Sequence, residues 1–160
     1  MSKGIVFLDT CVFIDCLESD KDAQIITHAF NDDFAITTSI TVLGETITQL
    51  MDVGPDVEQI INFKKMLDRW DVSFFFPNDI VRKICFYIGE GLTDRDELYH
   101  QVTDRTHLAY SISYKTDFFI TSDKALRDFL VPEKITSRGY GKPITIPITR
   151  FKKEFLLKLH

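Results

Sequence analysis

The stretch GIVFLDTCVFID, residues 4–15, places one carboxylate, Asp9, and one hydroxyl, Thr10, between two apolar runs. A lone charge among apolar neighbours is costly to desolvate unless it is paired, hydrogen-bonded or holding a metal ion. FFITSDKAL, residues 118–126, repeats the arrangement, with Thr121, Ser122 and Asp123 directly after an apolar run. Asp123 also suits the N-cap of a following helix, and a cap can be a ligand as well. Two more acids stand out against helical stripes. In SITVLGETITQL, Ile40, Leu43, Ile47 and Leu50 have the spacing of a buried face, and Glu45 projects to the opposite side with Thr41 and Thr48. In ELYHQVTDRTHLAYSISYKTDFF, the stripe Leu98, Val102, Ala109 and Ile112 leaves Asp104 on its flank with Leu108 and Ser111, where it can border a cleft. Asp94, Asp96 and Asp117 rank below Asp104, because the first two precede the regular helix and the third begins a strand.

The elements that would carry these acids alternate. Short apolar runs at 5–8, 34–37, 72–76, 118–121 and 144–148 read as strands. Helical segments are expected at 10–18, 20–31, 39–52, 56–69, 78–90, 96–116 and 123–130, with Ser39 and Asp56 as N-caps and Gly54 and Pro55 separating two of them. The alternation predicts an α/β fold, a three-layer α/β/α arrangement with a mainly parallel central sheet. In such sheets ligands bind beyond the carboxyl ends of the strands, which is where Asp9 and Asp123 fall.

Composition bounds the answer. With 160 residues, 44% hydrophobic and 27% charged, the chain has the make-up of a globular protein, and one domain over 1–160 is expected. No repeat or low-complexity linker divides it, and the loosest stretch is 131–145. No apolar run approaches the ~18 residues of a membrane span, so a cytoplasmic protein with no membrane association is expected. Cys11, Cys16 and Cys85 form no CxxC pair and read as reduced core thiols. The net charge of −5 divides unevenly: residues 124–160 carry nine basic and three acidic residues, a net of +6, leaving −11 for residues 1–123. That polarity suits a metal site beside a phosphate-binding rim.

The four acids, in order and context, resemble those of the PIN (PilT N-terminus) domain nucleases: Asp9 in FLDTCVFID, Glu45 in SITVLGETI, Asp104 in DRTHLAYSISYKTDFFITSD, and Asp123 in TSDKAL. The resemblance spans nearly the whole chain. Cys11 departs from it, standing where the family often has Asn or Ser. The resemblance implies a PIN-like fold and a metal-dependent ribonuclease in which Asp9, Glu45, Asp104 and Asp123 hold Mg²⁺ or Mn²⁺, directly or through water, with Asp9 and Asp104 central. Such ions stabilise the charge on the attacking and departing oxygens of a cleaved phosphodiester, and hard cations take oxygen ligands. Thr10 and Ser122 are expected to orient the acids. His107, one turn after Asp104, reads as a packing residue, since Mg²⁺ prefers oxygen. Trp70 and Phe74, Phe75 and Phe76 read as core; Arg82, Lys83, Arg105, Lys124 and Arg138 are the candidates for an RNA backbone.

Other readings fit less well. A haloacid-dehalogenase phosphatase needs a second Asp two residues after the first, where Cys11 stands, and a response-regulator receiver needs an acidic pair after the first strand, whereas Asp32 and Asp33 precede the second. A PIN-like module that binds RNA or assembles with protein without catalysis is the remaining alternative. Among PIN proteins the compact chain is similar to the virulence-associated protein C toxins, which implies a small antitoxin partner, an RNA substrate and a homodimer.

Overall fold

The computed structural model describes residues 2–54 and 56–156. Its centre is β1, Gly4–Leu8, whose Val6, Phe7 and Leu8 have no exposed surface. An apolar run with no alternation marks a strand covered on both faces, as in parallel sheets. β2 (Phe34–Ser39) lies on one side of β1 and β4 (Phe118–Ile120) on the other. β3 (Ser73–Phe75) and β5 (Ile144–Ile146) form the edges, giving the order β3-β2-β1-β4-β5 with every described pair parallel. The threonines of β2 sit in this apolar layer because their hydroxyls donate to β1 carbonyls, Thr37 to Val6 at 2.9 Å and Thr38 to Leu8 at 2.8 Å. Phe7 packs between Phe75 and Phe119, with ring centres 6.1 and 5.3 Å away. Its truncation to Ala would cost about 3–5 kcal/mol.

Helices cover both faces: α1 (Thr10–Glu18), α2 (Asp20–Asn31), α3 (Ile40–Asp52), α4 (Val57–Arg69), α5 (Asp79–Glu90), α6 (Val102–Ser113), α7 (Lys124–Asp128), α8 (Glu133–Thr136) and α9 (Ile148–Phe151), the last continued by a π-turn over Lys152–Leu156. Ser39 and Asp56 cap α3 and α4 as expected, accepting from the N–H groups of Val42 and Glu58; Pro55 lies outside the described residues. None of the described helices is long and apolar enough to cross a membrane.

Three expectations need correction. The helix predicted over 96–116 is broken. A 3₁₀ turn at Glu97–Tyr99, tightened by the Asp96 carboxylate accepting from Thr93, precedes α6, and Lys115 in the left-handed region (φ 52°) ends it. The run of phenylalanines is not all core, because β3 is a short edge strand and Phe76 beyond it is 60% exposed; Trp70 is fully buried, its indole N–H donating to Thr27. The basic end of the chain rims the acids only in part: Arg127 donates to the backbone carbonyls of Ser122 and Asp123, whereas the described segment around Lys152 lies elsewhere. Phe151 packs on Phe34 and Phe118, the first residues of β2 and β4, which holds that segment against the amino edge of the sheet and sets Lys152 in a pocket with Asp32.

Candidate active site

Strand order reverses between β1 and β4, so the loops that follow these two neighbours diverge and leave a crevice at their carboxyl ends. Asp9 and Asp123 stand there, each at the start of a helix. A depression of about 270 Å³ in this crevice is lined by Asp9, Thr10, Cys11, Glu45, Gln49, Asp104, Ser122 and Asp123, with no Lys or Arg among them. The structure thus brings all four predicted acids, and both predicted orienting residues, to one place.

Each acid is held differently. Asp9 is nearly buried. Its Oδ1 accepts the Thr10 N–H at 2.8 Å and its Oδ2 the Thr121 hydroxyl at 2.7 Å. Burial pushes its pKa up, against the pull of His107, Thr121 and the Thr10 amide. Asp123 Oδ1 accepts from the N–H groups of Ala125 and Leu126 at 2.7 and 3.3 Å, so the N-cap role is real and engages one oxygen. Glu45 Oε2 accepts the Thr10 hydroxyl at 2.5 Å and lies 2.7 Å from His107 Nε2. The His107 bond, more than any other cause, holds the Glu45 carboxyl below its ordinary range. Asp104 is pushed up to about 6, first by burial and then by the charges of Asp9 and Asp123. Burial is the largest cause of that shift, and the part due to the acidic neighbours agrees with a lining that holds no Lys or Arg.

The predicted face of Glu45 is shifted. The buried line of α3 runs through Val42 and Thr46, and Ile40 is 37% exposed. Thr46 can occupy a core position because its hydroxyl donates to the Val42 carbonyl one turn back. Glu45 therefore borders the buried face instead of opposing it. Similarly, His107 through Ile112 of α6 are all buried, so that half of the helix has no apolar stripe to read.

Two neighbours of the acids make contacts that the sequence reading did not assign to them. Thr121, and not the exposed Ser122, donates its hydroxyl to Asp9; the Ser122 N–H points to the Cys11 sulfur at 3.3 Å. The signal was the Thr-x-Asp spacing, since residue 121 lies on the Phe119 side of the strand's alternation. His107 is buried as a packing residue would be, yet its Nε2 sits between Glu45 and Asp9 Oδ1, 3.9 Å from the latter. Burial opposes an imidazolium there, but Glu45 and Asp9 together raise its pKa. Asp117 and Asp96, ranked lower, lie elsewhere: Asp117 accepts the Ile5 N–H at the amino end of β1, and Asp96 closes the local turn with Thr93.

Among the described residues no three His, Cys, Asp or Glu side chains form a ready-made metal cage. The acid pocket is instead open, with carboxylate and hydroxyl oxygens as its donors.

Comparison with known proteins gives a family and a fold. The family model of the PIN domain matches residues 6–129. No curated protein matches the chain by sequence. Among solved structures, a chain of VapBC2 from Rickettsia felis, crystallised bound to a DNA fragment from its promoter, superposes with a TM-score of 0.59 at 13% identity, over 74% of this chain and 87% of that one. PAE2754 from Pyrobaculum aerophilum gives a TM-score of 0.56 at 17% identity, over 98% of this chain and 89% of that one. At these identities the likeness is one of fold.

Proposed function

The chain belongs to the PIN domain family, and on that premise we propose that it is a metal-dependent ribonuclease that hydrolyses RNA phosphodiester bonds with Mg²⁺ or Mn²⁺. The observation that carries the reading is the pocket at the β1/β4 crevice, where four carboxylates line one depression with no Lys or Arg among them and Asp104 is pushed up first by burial and then by Asp9 and Asp123. The donor set fits a hard cation: Mg²⁺ is usually held by one or two carboxylates and keeps several waters, so an open pocket of oxygens suits it. Asp9 and Asp104 would hold the ion, with Asp123 and Glu45 bonding it directly or through water. What it supplies when bound is stabilisation of charge on the attacking and departing oxygens and activation of a water. The chain's own residues then fix the donors. Thr121 and the Thr10 amide orient Asp9, the first turn of α7 orients Asp123, and His107 with Thr10 orients Glu45.

A toxin paired with a small antitoxin is the biological role we favour, supported by the likeness in fold to a chain of VapBC2. The antitoxin would cover the acid pocket, and the toxin would act in the cytoplasm as a homodimer.

The test is cleavage of single-stranded RNA by purified protein with Mg²⁺ or Mn²⁺, stopped by EDTA and lost in Asp9→Asn/Asp104→Asn. Activity that survives in the double variant would mean that the acids do not catalyse and would favour a binding or assembly module.

A further inference from the structure

Next to the acid pocket along α3 and α6 lies a larger groove of about 700 Å³, between α5 and α6. The two share walls in sequence: Asp104 lines the pocket while Arg105 and Thr106 line the groove, and on α3 Glu45 lines one while Thr41 lines the other. The groove floor is apolar, with Val81, Cys85 and Tyr110, and Phe86 stands on it 66% exposed. Its charges are mostly engaged. Arg82 pairs with Asp79 and Glu90 with Lys134, whereas the Arg105 guanidinium has no ion pair or hydrogen bond among the described residues, and its buried Nε–H has no acceptor. The guanidinium is seated against Gly89, where a Cβ would come within 2.9 Å of its Nη1. Glycine in a helix is less favourable than alanine, so the last turn of α5 gives up helix propensity at the place where this cation lies.

The other cations named as RNA-backbone candidates are differently placed. Arg138 donates to the Tyr87 hydroxyl, Lys124 lies 4.0 Å from Asp128 and Lys83 is exposed on α5. A pocket of four acids repels a polyanion, so a strand crossing it needs a cation close by for the next phosphate. An unpaired guanidinium and an exposed aromatic ring lining one groove offer a phosphate and a base what each requires.

We propose that this groove binds the nucleotide flanking the cleaved bond of single-stranded RNA, its phosphate on Arg105 and its base against Phe86. The assignment rests on the ribonuclease reading for its ligand and adds the residues that seat it.

The experiment measures binding of a short fluorescein-labelled single-stranded RNA of mixed sequence to the full chain in EDTA, by anisotropy over a salt series. Thermal melts verify that each variant is folded. Phe86→Ala should weaken binding about tenfold with the salt slope unchanged, as for a lost base stack. Arg105→Ala should weaken binding and lower the slope of log Kobs against log[salt] by about 0.7, the loss of one single-strand phosphate contact. Gly89→Ala keeps the charge but obstructs its seat and should weaken binding too, whereas Arg105→Lys should keep the slope and Lys65→Ala, on the exposed side of α4, should bind as wild type. Wild-type affinity and slope in both Arg105→Ala and Phe86→Ala would overturn the groove assignment while leaving cleavage by the acid pocket standing. Loss of dimer in Phe86→Ala with RNA binding unchanged would assign the groove to a second copy and overturn it as well. Groove variants that weaken binding in a protein that cleaves nothing would uphold the groove and remove the nuclease. A wild type that binds no RNA would overturn both.

Discussion

His107 Nε2 lies 2.7 Å from Glu45 Oε2, joining the buried middle of α6 to the rim of α3. The Thr10 hydroxyl reaches the same oxygen, so both bonds load Oε2, and no hydrogen bond to Oε1 is made among the described residues. A bond to a charged acceptor contributes about 1.5–3 kcal/mol, and severing one at a buried site leaves a group unsatisfied.

His107→Leu fills similar volume without the donor. It should raise the Glu45 pKa toward its ordinary range, because the His107 bond is the main cause of its depression. It should also reduce the rise in melting temperature produced by Mn²⁺, while His107→Gln, which keeps an N–H donor, restores part of it. Carboxyl NMR titration and a melting series are the measurements. An unchanged Glu45 titration in His107→Leu would show that the contact does not hold the carboxylate.

Asp104 governs a pH dependence of the metal-free protein. Its carboxyl is pushed up from 3.8 to about 6 in the native state, so between those values the folded chain holds a proton that the unfolded chain has released. Stability then falls as pH rises through the window, since the unfolded state binds fewer protons. Wild type in EDTA should lose stability from about pH 4 to 6 relative to Asp104→Asn, and the variant should be the more stable at pH 7. Urea midpoints across that range decide it, and parallel curves would exclude the assignment.

Divalent metal should add stability to wild type. Binding to the native state alone contributes about 2.7 kcal/mol at a hundredfold excess over Kd, several degrees in Tm for a domain of this size. Asp104→Asn should lose most of that shift and Asp128→Asn, outside the pocket, none of it. Equal shifts in all three proteins would mean that Asp104 holds no ion.

Thr121→Val removes a hydroxyl that donates to Asp9 Oδ2 and accepts the Asp123 N–H at 3.1 Å. Two acids lose an orienting bond at once, so Mn²⁺ affinity should drop by about tenfold or more. Thr121→Ser should retain it. Titration with Mn²⁺ distinguishes the pair, and a valine variant that binds as wild type would show that Asp9 needs no second donor.

Burial raises the Cys11 thiol to about 11 and Cys16 to about 12. At pH 8 roughly one Cys11 thiol in a thousand is ionised, and only the thiolate reacts. Iodoacetamide should label both far more slowly in the native protein than in urea, as peptide mapping would record. Rapid native labelling at Cys16 would contradict its buried place in the core.

The strand framework and two acids were legible because a parallel strand covered on both faces is written as an unbroken apolar run, and a polar residue that ends such a run stands at its edge. Asp9 after Leu8 and Asp123 after Ile120 both follow that rule. Helix faces were harder to read. Thr46 looks polar but is buried with its hydroxyl satisfied inside α3, and the fully covered half of α6 carries His107 and Ser111 among its apolar residues. Periodicity registers residue type, whereas these positions depend on which hydrogen bonds the fold supplies. Thr121, His107 and the seat of Arg105 on Gly89 are pairings across distant segments, which no local pattern encodes.

The order β2-β1-β4 gives the site a calendar during synthesis. Asp9, Glu45 and Asp104 leave the ribosome before β4, and a nascent chain ending at residue 117 has one flank of β1 without its ladder partners Phe118, Phe119 and Ile120. It also lacks Thr121 to orient Asp9, and Asp123 to complete the acids. Domains tend to fold as units once their long-range strands are available. The pocket therefore matures only after about three quarters of the chain has been made, and any shorter chain lacks part of its ring of acids.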